Sequence, residues 1–84
     1  SQTMSHVPHE LSEVFAADAD ALHALKTGNA HFAAQADRYH ALNREVHRID
    51  SGIEPASDER AETLKRERLV LLDEISAMIA QQKG

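Results

Sequence analysis

Eighty-four residues, 42% of them apolar and 27% charged, with a formal net charge of −5, describe one small domain of ordinary soluble composition. The absence of cysteine excludes disulfides, thiolate chemistry and cysteine zinc sites and fits a reducing cytoplasm. The negative charge speaks against general nucleic-acid affinity, no apolar run approaches the ~18 residues of a membrane span, and no basic start with an apolar core marks a secretory signal.

Ser1-Gln2-Thr3 precede Met4 and read as an expression scar, with residues 1–8 expected to be disordered. Pro8 lacks an amide hydrogen and restricts Val7, so it suits the first turn of a helix, with Glu10 and Glu13 near the positive end. From there a seven-residue row runs through Leu11, Asp18, Leu25, Phe32, Tyr39, Val46 and Ile53. Its companions sit four residues on in the first half (Phe15, Leu22) and three on in the second (Leu42, Ile49), which is helical spacing of coiled-coil type. Strand alternation is absent. The shift coincides with Lys26-Thr27-Gly28-Asn29-Ala30, where Gly28 is a helix terminator and Asn29 an N-cap. The residues leave a break, a kink and a continuous helix all open at this point.

Asp50-Ser51-Gly52-Ile53-Glu54-Pro55-Ala56-Ser57 is a firm connection: Gly52 ends a helix, Pro55 prevents its resumption and Ser57 caps the next. The spacing predicts helices over about 9–27, 29–50 and 57–80 in a single domain of residues 9–82, with 83–84 frayed. The last two are each about 33–36 Å long. Matched lengths and a short connection predict an all-α fold, an antiparallel helical hairpin with an additional N-terminal helix or kinked extension. The hairpin seam is expected from Phe32, Tyr39, Leu42, Val46 and Ile49 on one helix and Ala61, Leu64, Arg68, Leu71, Ile75 and Met78 on the other. Counting outward from the turn sets Val46 near Ala61, Tyr39 near Arg68 and Phe32 near Ile75.

The segments HVPHEL (His6 to Leu11), LKTGNAHF (Leu25 to Phe32), YHALNREVHRID (Tyr39 to Asp50) and LKRERLVLLDEI (Leu64 to Ile75) resemble the YdcH-like family of small bacterial proteins of unknown function. The resemblance covers most of the chain from His6 to Ile79. Asn43 stands where the family often has Asp, and Leu72 where it usually has Lys. The resemblance implies a cytoplasmic helical hairpin able to dimerise through a bundle, and it implies no activity.

No constellation in the chain points to catalysis. Ser12, Ser51, Ser57 and Ser76 have no arranged histidine and acid, and Asp73 and Glu74 point about 100° apart on a helix. Among the six histidines no helical pair has the i,i+3 or i,i+4 spacing of a metal site; His40 and His47 are ~10 Å apart along the axis. A flexible site of His6 and His9 with His23 or Glu10 is the remaining metal option, and solvated histidines are the simpler reading. Arg60, Lys65, Arg66 and Arg68 alternate with Asp58, Glu59, Glu62 and Glu67, a salt-bridged solvent face rather than a nucleic-acid surface.

The expected function is therefore a non-enzymatic interaction protein with no cofactor and no metal, forming a homo-oligomer, with a dimer favoured. Val70, Leu72 and Ile79 exceed what one hairpin seam needs and form the expected self-association face. An adaptor reading assigns Phe15, Leu22 and Leu25, in the acidic segment Glu10 to Lys26, to docking another protein. A nucleic-acid-binding regulator stands behind both. Arg68, the one charge on the last helix's inner seam, is expected against the Tyr39 ring, with Asp37, Glu45 or a second chain as counter-charge. On that reading Arg68→Leu raises the melting temperature and mixes the oligomers.

Overall fold

A computed structural model describes residues 10–84, so the reading of residues 1–8 and of the Ser1–Thr3 scar lies outside the described residues. Its elements are α1 (Leu11–Val14), a 3-10 turn (Ala16–Asp18), α2 (Ala19–Gly28), α3 (Ala30–Asp50) and α4 (Asp58–Lys83). There is no strand among the described residues, and α3 packs along α4 as the expected antiparallel hairpin.

Local chemistry accounts for the helix ends. Asn29, in extended conformation, accepts the Phe32 N–H on its Oδ1 at 3.0 Å, and Ser57 Oγ accepts the Arg60 N–H at 3.1 Å. At the other end of α3, Gly52 takes a φ of 79°. Its N–H bonds to Ile49 O while the Ile53 N–H reaches back to Arg48 O, the paired closure of a helix that ends on a left-handed residue. The Arg48 guanidinium then holds Glu54 at 3.0 Å across the turn.

The register agrees with counting from the turn to within one helical turn. Gln35 donates to Glu74, the Glu45 carboxylate meets Arg60, and Arg68 Nη1 donates to Asn43 Oδ1 at 2.9 Å. The inner row of α3 is Phe32, Ala36, Tyr39, Asn43 and Val46, all buried. Ala36 and Asn43 were not among the expected seam residues. Leu42, Ile49, Ala61 and Met78 flank the seam half-buried, while Leu64, Leu71 and Ile75 are buried as expected. Ile53, the last residue of the heptad row, is 73% exposed in the turn.

Three expectations are corrected by the N-terminal segment. First, the helix expected over about 9–27 is broken, because Phe15 (φ −112°, ψ 38°) and Asp18 (φ −115°, ψ 30°) leave the helical region. Ala16 to Asp20 carries no large apolar side chain to hold a straight helix on the core, and the bend lets Leu11, Leu22 and Leu25 all reach it. Second, those leucines are buried with Phe32, Tyr39, Ile75 and Ile79, and Phe15 is half-buried against the same cluster. The three side chains expected to dock a partner are therefore spent inside this chain. Third, Ile79 is 2% exposed and in the cluster with Leu11, Leu22 and Leu25, and Leu72 packs half-buried against it, so of the three residues expected for self-association one is core and one is half-covered. The surplus apolar face of the hairpin exists, and the chain covers it with its own N-terminal segment. Lys83 on Asp18 at 2.8 Å and His40 Nδ1 near Glu10 Oε2 at 3.3 Å tie that segment to the hairpin.

The break between α2 and α3 is real, but Asn29 makes it and Gly28 is the last residue of α2. Gly28 has no positive φ, and a Cβ added there meets nothing within 4 Å. Gly28→Ala is accordingly expected to stabilise by about 0.5–1 kcal/mol, whereas Gly52→Ala, forced into the left-handed region, costs about 1–2 kcal/mol. Thermal unfolding of the two variants side by side checks the opposite signs.

Candidate interaction surface

The two sides of the hairpin differ. One carries α1 and α2. On the other, a groove of about 590 Å³ runs between α3 and α4, and every residue lining it belongs to those two helices. Ala41, Leu42, Val70 and Leu71 give it an apolar floor, in which Val70 is 53% exposed. Arg38 and Glu45 stand on the α3 wall, two turns apart; Arg66 and Glu74 stand on the α4 wall at nearly the same separation. Leu42 lies midway along the first pair and Val70 midway along the second. Of the expected self-association residues, Val70 alone lies on this open side.

The covered side holds the polar centre of the molecule. Asn43 is 1% exposed, and its Oδ1 takes the Arg68 Nη1 hydrogen bond. Arg68 thus bonds a residue one turn along from Tyr39, with which it shares a cleft and whose hydroxyl feels its charge, while Glu45, one of the expected counter-charges, pairs with Arg60. Asn43 was left out of the expected seam because Leu42 beside it, three residues after Tyr39, took the companion position. Its position four after Tyr39 and three before Val46 was the available signal. A smaller cleft lined by Val14, Tyr39, Lys65, Arg68, Leu69 and Leu72 opens beside this pair.

Burial pushes the Tyr39 hydroxyl up from its ordinary value of 10.0; the Arg68 charge pulls it part of the way back and Glu10 pushes it up. The fold therefore accepts the neutral phenol and resists the phenolate. A raised folded pKa means that this contribution is whole below the unfolded value of 10.0 and is lost as pH rises through the folded one. Above pH ~10 the melting temperature should fall more steeply in the wild type than in Tyr39→Phe. Tyr39 is the single tyrosine and there is no tryptophan, so absorbance near 295 nm follows its ionisation directly.

Among the described residues no group of three or more His, Asp or Glu is placed to hold a metal, and no helix is long and apolar enough to cross a membrane. The family model for a protein of unknown function, DUF465, matches residues 32–79, more than half of the chain. The chain belongs to the DUF465 family. No curated protein and no solved structure matches it. The DUF465 match begins at Phe32 and ends at Ile79, both in the buried cluster, so it spans the hairpin and leaves out the segment that carries Leu11, Leu22 and Leu25.

Proposed function

We propose that this DUF465 chain is a non-catalytic interaction protein of the YdcH-like kind that pairs with a second copy through the open α3–α4 groove. The observation that carries the reading is the charge order around the apolar floor. An antiparallel, face-to-face pairing about Leu42 and Val70 sets Arg38 of one copy against Glu45 of the other. It also sets Glu74 against Arg66. A surface that complements itself in this way suits a two-fold interface, in which one patch serves both partners. Burying Val70, now half in water, adds the apolar gain that such a contact needs. The absence of cysteine supports a reducing compartment, the cytoplasm, and the net charge of −5 supports a protein partner over a nucleic acid.

Val70→Glu puts a charge at the centre of the floor and is expected to convert a micromolar dimer to monomer. The unfolding free energy of the monomer should stay within about 0.5 kcal/mol of the wild type, as for other exposed positions. Ile53→Glu, in the turn and outside the groove, should leave association intact. Light scattering over a concentration series reads both; a wild type that stays monomeric throughout, or a Val70→Glu protein that dimerises as tightly as the wild type, overturns the proposal.

A further inference from the structure

Asn29 is the only residue between α2 and α3, and it is extended (φ −138°, ψ 105°) where its neighbours on both sides are helical. The buried residues of the two helices nevertheless share one phase. Leu22, Leu25, Phe32, Ala36, Tyr39, Asn43 and Val46 follow at alternating steps of three and four, with Asn29 at the one step missing between Leu25 and Phe32. Two helices that meet only at a corner have no need to keep a common heptad phase across it. A single straight helix from Ala19 to Asp50, about 48 Å long, does need one. The local chain permits straightening: residues 19–50 contain no proline, and a Cβ built at Gly28 would meet nothing within 4 Å.

Straightening at Asn29 would lift Leu11, Leu22 and Leu25 off their own hairpin and leave Phe32, Ile75 and Ile79 uncovered. The cover that fits the bared cluster, side chain for side chain, is the same segment from another copy. We infer that Asn29 is a hinge and that the Leu11 to Gly28 segment exchanges between two copies of the chain, each seating its three leucines on the other's α3–α4 core. Such an exchange makes a dimer from contacts that already exist, with only the hinge conformation changed. It uses the side of the hairpin opposite the groove and is independent of the pairing proposed there.

Two substitutions bias the hinge in opposite directions. Asn29→Ala removes the side chain that caps α3 only in the bent form, which favours the straight form about fivefold per chain. Ala30→Pro places proline at the first position of α3, where it is tolerated in the bent form and where it keeps residue 29 extended, but it breaks a continuous helix. Natural-abundance and 15N-labelled full-length chains are mixed, unfolded, refolded together and treated with a carbodiimide, which joins Asp18 to Lys83 where their ion pair holds. Mass spectrometry of the digest tells whether the joined peptides come from one chain or two. Exchange predicts mixed-isotope 18–83 links in the wild type at high concentration, several-fold more in Asn29→Ala and several-fold fewer in Ala30→Pro. A dimer through the groove alone keeps each link within one chain. Single-isotope links only, in Asn29→Ala at every concentration, overturn the exchange whatever the oligomeric state. Should that variant fail to fold, the wild type at millimolar concentration decides: mixed links that Ala30→Pro suppresses uphold it, and their absence overturns it.

Discussion

Phe32→Ala is expected to lose about 3–5 kcal/mol, the cost of emptying a fully buried aromatic site. Phe32 is 0% exposed and belongs to the cluster where α2, α3 and α4 meet, so three helices lose a packing partner at once. A domain of this size holds only about 4–12 kcal/mol in all, at the usual 0.05–0.15 per residue. The variant should therefore be marginal, with a urea midpoint shifted far down and helical circular dichroism reduced even without denaturant. Leu69→Ala, 57% exposed on α4, serves as the control and should move stability by no more than about 0.5 kcal/mol. A loss below about 1 kcal/mol in Phe32→Ala would show that the three helices do not depend on this contact.

Arg68→Leu is expected to destabilise by about 1–3 kcal/mol, the reverse of the sign that the seam pattern alone suggests. An arginine among leucines looks like a desolvated charge that a leucine would improve on. In the fold Arg68 is only half-buried and lines an open cleft, and it supplies a hydrogen bond to an amide that is 1% exposed. Removing the arginine takes that bond from a buried acceptor, which costs more than the added leucine gains. The bond makes the two residues interdependent, and a double-mutant cycle with Asn43→Leu measures how far. Arg68→Leu should cost clearly less once Asn43 is leucine, by roughly 1 kcal/mol or more of coupling. A cycle that closes additively would show that the contact carries no stability of its own.

The sequence by itself determined the local events. Asn29 and Ser57 cap the helices that follow them, because their side-chain oxygens lie within reach of an amide three residues on. Gly52 closes α3 because only glycine enters the left-handed region without strain. The hairpin register was legible to within one turn, since a short connection and a 3-4 apolar seam leave two helices few ways to pair. The open groove was legible only in part: Val70 stood out as surplus, but its separation from Leu72 and Ile79 did not. What tertiary structure alone decided is which apolar surface covers which. Periodicity marks the faces of α2 and α4 as apolar, yet burial is non-directional, and the same leucines satisfy it against their own hairpin or against another protein. The bend at Phe15 and Asp18 directs them inward, and with it Leu22, Leu25 and Ile79 become core rather than surface. The Asn43–Arg68 bond, joining residues 25 apart, belongs to the same class: a seam polar group is a flaw or a fixture according to what stands opposite it, and that is a property of the packed pair.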